Sequence, residues 1–278
     1  MPTLFVIATP IGNLGDLTPR AREALGQASR IFAEDTRRSR ALLAYAGIAG
    51  KPVVRVDAHA TPERLARLVA DLEGDAAVAL VTDAGVPGVS DPGAAIVRAA
   101  AERGVKVVPI PGASALTAAI AASGLVEGPF TFLAFLPRHG KKRRLALERV
   151  ASTSEAVVLF ESPQRIAETL RDLAAVCAGR AAALCRELTK LHEEILYGTL
   201  AELAALEREW LGEITLVLGP QAERPAERAP EPEEIDQEIA SRLAKGAHPK
   251  DLATELAGRL GVPRRAAYAR VLALKPER

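Results

Sequence analysis

The stretch AVALVTDAGVPGVSDPG (77–93) decides the fold of this chain. It opens with a continuous run of apolar residues, which is typical of a strand that is buried on both faces of a parallel sheet. The loop that follows holds three glycines and two prolines together with Asp83, Ser90 and Asp91. Glycines let backbone groups approach a ligand closely, and prolines stiffen the loop. Because open parallel sheets bind ligands at the carboxyl ends of their strands, this loop is predicted to bind one. A rigid turn, in which Asp91 caps the next helix, is the alternative.

The sequence on both sides of this stretch alternates between strands and helices. Apolar runs at 4–8, 31–35, 53–56 and 105–110 predict further strands of the same sheet. Each run is followed by a helical pattern, and Thr18-Pro19 and Thr61-Pro62 have the cap-then-proline order of helix starts. This alternation predicts an α/β domain over residues 1–123.

A second α/β domain is predicted over residues 124–219. Its expected strands lie at 130–134, 156–160, 181–186 and 213–218, with helices at 141–151, 163–177 and 199–207. Residues 220–234 are rich in proline and charge, which is typical of a linker. Residues 235–278 have helical periodicity in three pieces, and the last two have the small-residue turn of a helix-turn-helix.

Composition excludes several classes of protein. The chain has 278 residues, of which 49% are hydrophobic and 26% charged, so it is not intrinsically disordered. No apolar run is long enough to cross a membrane, and the apolar N-terminus lacks the basic start of a signal peptide. Cys177 and Cys185 are too few for a zinc site, so no metal is expected and a cytoplasmic location is predicted.

Several loops that follow predicted strands carry residues suited to binding or catalysis. They are TPIGNLGD (9–16), EDTRRS (34–39), PIPGASA (109–115), FESPQR (160–165) and LCRELTKLHEE (184–194). None has the spacing of a P-loop or of a dinucleotide-binding fingerprint. Solvated ion pairs are the simpler interpretation of the charged loops, and His59 and His192 have equal claims as a general base.

The segment RHGKKRR (138–144) is the strongest basic patch. Five of its seven residues are Arg138, Lys141, Lys142, Arg143 and Arg144. The net charge is only +1, so any nucleic-acid binding must come from such a local patch. These five residues are therefore predicted to hold RNA phosphates. A solvated loop and helix start is the alternative.

Taken together, these motifs resemble one known family. TPIGNLGDLTPRA, AEDTRRS, VTDAGVPGVSDPG, PIPGASA, FESPQR and CRELTKLHEE occur in this order in the small-subunit ribosomal RNA methyltransferases of the tetrapyrrole (corrin and porphyrin) methylase fold group. The resemblance covers residues 4–218 closely. One departure is VDAHATPER (56–64), which keeps His59 and Glu63 but not the polar residues that relatives carry between them.

The resemblance implies an architecture, a cofactor and a reaction. The fold would be two α/β domains with S-adenosylmethionine between them, plus the small C-terminal helical module, and the chain would form a homodimer. The reaction would be 2′-O-methylation of a cytidine in the decoding region of 16S rRNA, and the partner would be this rRNA within the 30S subunit. The residues implied in cofactor binding are Pro10, Asp83, Gly85, Val86, Ser114, Ala115, Phe160 and Leu188.

Such a reaction needs help at the ribose hydroxyl, which is a poor nucleophile at neutral pH. The candidates are Glu34, Asp35, Glu187 and Lys190, and Lys190 can act as a base only if its pKa is lowered. Two alternatives remain: a methylase of a tetrapyrrole or corrin precursor, and a helix-turn-helix regulator that binds nucleic acid. The first would not need the basic segment, and the second would not need the strand-end loops.

Overall fold

The structure is a computed structural model, which describes residues 1–56, 66–68, 70, 72, 77–91, 93–221, 232–260 and 262–274. The chain divides into two compact units, Met1–Ala222 and Glu223–Arg278. The first unit contains two sheets, and the second is helical. The fold class predicted from the sequence, two α/β sheets followed by a helical module, is confirmed.

The first sheet is parallel and carries the loop that opened the sequence analysis. Its described strands have the order β3-β2-β4-β1-β5, so β4 is central and the loop leaves from the middle of the sheet. The strands are β1 (Thr3–Ile7), β2 (Arg30–Ala33), β3 (Val53–Arg55), β4 (Ala77–Val81) and β5 (Lys106–Ile110). Helices α1 (Pro19–Gln27) and α2 (Thr36–Tyr45) cover one face, and α3 (Gly93–Glu102) covers the other.

Local sequence explains how these elements begin and pack. The Thr18 hydroxyl accepts a hydrogen bond from the Ala21 amide at 3.1 Å, so the predicted cap of α1 is present. Along the strands, successive buried side chains turn to opposite faces: Ile31 packs beneath α1 and α2, and Phe32 packs beneath α3. The helix start predicted at Thr61-Pro62 lies outside the described residues.

The second sheet is mixed. Its order is β6-β7-β10-β8-β9, with β6 and β7 parallel and the other pairs antiparallel. The strands are β6 (Phe130–Phe135), β7 (Ala156–Glu161), β8 (Ala181–Arg186), β9 (Glu194–Thr199) and β10 (Ile214–Leu218). Helices α5 (Gly140–Ser152), α6 (Ile166–Cys177) and α7 (Leu200–Ala204) pack on one face, and α4 (Ala115–Ser123) packs on the other. The predicted boundary at residue 123 thus falls just after a helix that lies against the second sheet.

Strand β9 was missed by the sequence analysis. It is an edge strand that pairs only with β8 among the described strands, and Tyr197 in its middle is 60% exposed. It therefore lacks the apolar run that marked the buried strands. Antiparallel pairing of Arg186 with Glu194 turns residues 187–193 into a hairpin loop.

The described part of the second unit contains three helices, as the periodicity predicted. They are α8 (Pro232–Ala244), α9 (Pro249–Leu260) and α10 (Arg264–Ala273). Ile239, Leu252, Leu256 and Val271 form a core of their own. Most of the predicted linker, residues 222–231, lies outside the described residues. Among the described helices, none has both the length and the apolar character that a membrane crossing requires.

Candidate functional site

A cavity of about 420 Å³ lies between the carboxyl ends of the first sheet and the strands of the second. We call it the main cavity. Its volume lies in the range of small-ligand sites, and its walls combine apolar side chains with several carboxylates. It is lined by Ile11, Glu34, Thr82, Asp83, Ala84, Val86, Val89, Ser90, Asp91, Ser114, Ala115, Phe135, Phe160, Glu161, Ser162, Pro163, Cys185, Leu188, Glu213, Ile214 and Thr215.

The glycine-rich loop is fixed on one wall of this cavity. Gly85 has a φ of +79° and exchanges two backbone hydrogen bonds with Thr9, at 2.9 and 3.0 Å, which ties the loop to the end of β1. Asp91 Oδ1 accepts hydrogen bonds from the amides of Gly88 and Gly93, each at 2.7 Å. The turn-forming role considered for Asp91 is therefore present, and the loop lines the cavity as well.

Asp91 retains an unused acceptor. Its Oδ2 atom is buried and has no hydrogen-bond partner among the residues that the structure describes, although Asp91 lines the main cavity. A buried carboxylate oxygen without a donor is costly, so this atom fits a ligand that brings a donor or a positive charge.

Asp83 is held in place by the loop after β2. Its Oδ1 accepts a hydrogen bond from the Asp35 amide at 2.9 Å, and its Oδ2 lies 3.6 Å from Nη1 of Arg38. Asp83 lines both the main cavity and a neighbouring one. Its carboxylate therefore sits where the two cavities meet.

Glu34 lines the main cavity, and its pKa is higher than that of an ordinary glutamate. Burial raises the pKa of Glu34, and the nearby charges of Asp83 and Asp91 raise that pKa further. The Thr82 hydroxyl donates to Glu34 Oε2 at 3.4 Å and opposes this shift. A carboxyl group with a raised pKa accepts a proton more readily than an ordinary glutamate.

The other three candidate groups at the ribose are less available. Asp35 caps α2 by accepting hydrogen bonds from the amides of Arg37 and Arg38, and it lines neither cavity. Glu187 accepts hydrogen bonds from the Glu213 amide at 2.9 Å and from Lys190 at 2.7 Å, and it also lines neither cavity. Both carboxylates thus make structural hydrogen bonds, Asp35 at the start of α2 and Glu187 through its Oε1 atom.

The condition set for Lys190 as a base is not met. Burial alone would lower the pKa of Lys190, but its hydrogen bonds to Glu187 and Glu213 outweigh burial and raise that pKa. The raised pKa favours the ammonium form of Lys190, which cannot accept a proton, and any other role of Lys190 at the ribose stays a prediction. His192 lies exposed outside both cavities, and His59 and Glu63 lie outside the described residues.

The second cavity, of about 330 Å³, adjoins the main cavity. The two share Ile11, Thr82, Asp83 and Glu213. The remaining lining of the second cavity comes from the loop after β1, from α2 and from the hairpin loop, and consists of Thr9, Pro10, Gly12, Leu14, Arg38, Ser39, Ala41, Leu42 and Lys190.

Most residues implied in cofactor binding meet at the main cavity. Those that line it are Asp83, Val86, Ser114, Ala115, Phe160 and Leu188. Pro10 lines the second cavity instead. Gly85 lines neither cavity and ties the glycine-rich loop to Thr9 through backbone hydrogen bonds. The roles of all eight stay predictions.

Sequence reasoning missed three consecutive residues that line this site, Glu213, Ile214 and Thr215. Glu213 immediately precedes β10, and Thr215 lies within that strand. This segment carries no recognisable motif. It reaches the cavity because β10 pairs antiparallel with β7 and β8.

Four of the five basic residues of segment 138–144 are exposed at the start of α5, but Arg143 is not. Its side chain is 7% exposed and pairs with Asp172 at 2.7 Å, while also donating to the Thr169 hydroxyl and the Pro137 carbonyl oxygen. The prediction of an RNA-phosphate contact is therefore corrected at Arg143, because helical periodicity turns this one residue of the run toward α6.

No group of three potential metal ligands occurs among the residues the structure describes. Cys185 lines the main cavity, and burial raises the pKa of its thiol to about 11, so the thiol stays protonated at neutral pH.

Known proteins match both the sequence and the fold. The family model for tetrapyrrole (corrin/porphyrin) methylases matches residues 3–204. A ribosomal RNA small subunit methyltransferase I from Halalkalibacterium halodurans is 41% identical over 275 residues, covering 96% of this chain and 93% of the relative. The protein of the same name from Thermotoga maritima is 40% identical over 220 residues, covering 78% of this chain and 98% of the relative.

A solved structure shares the architecture at lower identity. The uroporphyrin-III C-methyl transferase from Thermus thermophilus, complexed with S-adenyl homocysteine, has a TM-score of 0.54 and 20% identity. The match covers 79% of this chain and 97% of the chain of the transferase.

Proposed function

Because the chain belongs to the tetrapyrrole (corrin/porphyrin) methylase family, and within it groups with the ribosomal RNA small subunit methyltransferase I proteins, we propose that it methylates small-subunit rRNA with S-adenosylmethionine. The acceptor that we propose is the ribose 2′ oxygen of a cytidine in the decoding region of 16S rRNA. The main cavity is the observation that carries this proposal.

The residues of the main cavity fit S-adenosylmethionine, which when bound supplies an electrophilic methyl group on a sulfonium centre. Its positive charges suit the carboxylates of Glu34, Asp83 and Asp91, and the unpartnered Oδ2 of Asp91 fits a ligand donor. The apolar walls, which include Phe160 and Leu188, suit a planar base.

In the proposed reaction, Glu34 takes the proton from the acceptor hydroxyl. It lines the main cavity, and its raised pKa brings its basicity closer to neutral pH. Asp83 holds its position through the Asp35 amide and Arg38, so the carboxylate does not reorient on binding. Holding the two reactants side by side supplies much of the rate, on the order of 7–11 kcal/mol in well-oriented cases.

The exposed cations at the start of α5 support an RNA substrate. Arg138 precedes α5, Lys141 and Lys142 lie in its first turn, and Arg144 lies at the start of the next turn. The first turn contains no acidic residue. Cations at a helix N-terminus oppose the helix dipole, and bound phosphates relieve this opposition. The same residues would give RNA binding a strong dependence on salt.

We propose further that the substrate is the 30S subunit and that the enzyme is a cytoplasmic homodimer. Edge strand β6 exposes Phe130, at 42%, which supports an interface at this edge of the second sheet. Sedimentation of the protein at micromolar concentration would test the dimer.

The decisive experiment is methyl transfer from labelled S-adenosylmethionine to 30S subunits that lack the modification, with naked 16S rRNA in parallel. We expect label at one cytidine, as a 2′-O-methyl group that blocks alkaline cleavage at that position. The Asp83→Ala variant should lose cofactor affinity. Arg103 directly follows α3 and lines neither cavity, so Arg103→Ala serves as the control.

Two outcomes would contradict the proposal. Label on a base would refute the ribose as acceptor. Cofactor binding without any label on RNA would refute RNA as substrate and would point to a tetrapyrrole or corrin precursor.

A further inference from the structure

The second cavity has no part in the reaction described so far. It adjoins the main cavity at Asp83 and Thr82, so a ligand in one cavity faces a ligand in the other. With about 330 Å³, it has room for a group of the size of a nucleotide.

The two cavities differ in charge. The main cavity is lined by the carboxylates of Glu34, Asp83, Asp91, Glu161 and Glu213 and, among its described residues, by no lysine or arginine. That lining favours a cationic ligand and disfavours a phosphate. The second cavity adds two cations, Arg38 and Lys190, beside the carboxylates it shares with the main cavity. An anionic ligand therefore fits the second cavity better.

Arg38 is placed to bind a phosphate. One of its terminal nitrogens, Nη1, lies 3.6 Å from Asp83, and its side chain is 62% exposed at the mouth of the cavity. A guanidinium has five N–H donors in a planar fork, so the contact with Asp83 leaves most of them for a phosphate.

Lys190 supplies a fixed ammonium deeper in the site. Two of its three donors are used, by Glu187 at 2.7 Å and Glu213 at 3.0 Å, and one remains. Its side chain crosses Gly12 so closely that a Cβ atom there would lie 2.3 Å from Cγ of Lys190. Glycine at position 12 is thus what lets Lys190 reach this position from the hairpin loop.

We propose that the second cavity receives the target ribonucleotide, with Arg38 binding its phosphate and the free donor of Lys190 binding a ribose oxygen. This inference rests on the proposed function, because it takes the acceptor to be a nucleotide of RNA. It assigns Lys190 the task of orienting the acceptor and holding negative charge, while the proton goes elsewhere.

The test compares Arg38→Ala with its neighbour Arg37→Ala. Arg37 is 88% exposed on its side chain, pairs with Asp35 and lines neither cavity, so it is a matched control. On 30S subunits that lack the modification, Arg38→Ala should lower kcat/KM about tenfold. It should also reduce the slope of log affinity against log salt by about 1, because one phosphate contact is lost. Arg37→Ala should change neither quantity.

The role of Lys190 is tested by two substitutions, one that removes its charge and one that changes its position. Lys190→Met removes the charge and keeps the length of the side chain, and Gly12→Ala displaces the side chain without removing it. Both should lower kcat on 30S subunits, with S-adenosylmethionine affinity in calorimetry unchanged within about twofold.

Each other outcome has a definite meaning. If Arg38→Ala behaves like Arg37→Ala, or if the variants lose cofactor affinity as much as RNA activity, the second cavity is not the nucleotide site. If the unsubstituted protein binds S-adenosylmethionine but labels no RNA, the proposed function fails first, before any comparison of variants.

Discussion

Single residues in this molecule differ in role according to the side of an element they face. Arg143 and Arg144 are adjacent in sequence, yet Arg143 is buried against Asp172 while Arg144 is exposed on the same helix. Glu34 and Asp35 are also neighbours, yet Glu34 lines the main cavity and Asp35 caps α2. Residue type alone does not separate such pairs.

The arginine pair gives opposite expectations for stability. Arg143→Ala removes a guanidinium that makes three hydrogen-bonded contacts and leaves Asp172 without its cation, while the Thr169 hydroxyl keeps its bond to Glu161. We expect the free energy of unfolding to fall by about 2–4 kcal/mol, at the lower end because Asp172 is partly exposed. Arg144→Ala should change it by less than about 0.5 kcal/mol. Urea denaturation measures both, and equal losses would contradict the assignment.

Glu34 gives a prediction about pH. Because its folded-state pKa is raised, methyl transfer that needs the carboxylate should fall as pH drops through that raised pKa, above the range of an ordinary glutamate. Glu34→Gln should lower kcat and remove this acid limb of the pH profile. A profile unchanged by the substitution would show that another group titrates.

The same shift fixes the sign of a stability effect at Glu34. A carboxyl group with a raised pKa favours the folded state most below its unfolded pKa, and this contribution is lost as pH rises through the folded pKa. Glu34→Gln should therefore be at least as stable as the original protein at pH 8 in the same urea assay. Loss of stability there would contradict the shift.

At the scale of elements, helix starts and strand pairing position the chemistry. The carboxyl ends of β1, β2, β4 and β5 gather the loops of the first sheet on one side, and β7, β8 and β10 supply the opposite wall. Ser90, Glu187 and Thr189 adopt positive φ values of 64°, 51° and 68° in loops around the two cavities. Such backbone is costly for residues other than glycine and is concentrated here at the site.

Helix α1 contains a glycine whose replacement by alanine should stabilise the protein. Gly26 lies in the last turn, does not adopt a positive φ, and a Cβ atom added there would meet nothing within 4 Å. Gly26→Ala should raise the free energy of unfolding by about 0.5–1 kcal/mol, because alanine loses less backbone entropy on folding. Gly47→Ala, at a φ of +72°, is the contrasting variant and should destabilise. Thermal unfolding of both variants checks the expectation.

At the scale of the whole molecule, two units with separate cores make up the chain. All described residues that line the two cavities lie at or before Thr215, within the first unit. The Thermotoga maritima relative aligns 98% of its length with only 78% of this chain, so it has no counterpart for about a fifth of it. We therefore expect cofactor binding to be independent of the helical module, because the described lining residues of both cavities lie outside it.

A truncated protein tests this independence. A chain ending at residue 221 should unfold cooperatively and bind S-adenosylmethionine within about twofold of the full chain, because its cores and its cavities are retained. A chain ending at residue 204 loses the central strand β10 and should not fold. Loss of cofactor binding in the longer chain would show that the helical module contributes to the site.

The sequence by itself determined the fold class and most of the main cavity. Buried strands appear as apolar runs, their loops carry glycine, proline and aspartate, and parallel order brings those loops to one edge. These local signals place the loops. The residues Asp83, Val86, Ser114 and Ala115 were implied by the family resemblance; all four line the main cavity, and their part in cofactor binding stays a prediction.

Only the tertiary structure decided the rest. Strand β9 exists through its pairing with β8, Glu213 reaches the cavity through the antiparallel register of β10, and Arg143 turns inward because α6 offers it Asp172. The acidity of Glu34 and the charge of Lys190 depend on burial and on partners far away in sequence. Such properties arise from distances between segments, and a single sequence pattern contains no measure of those distances.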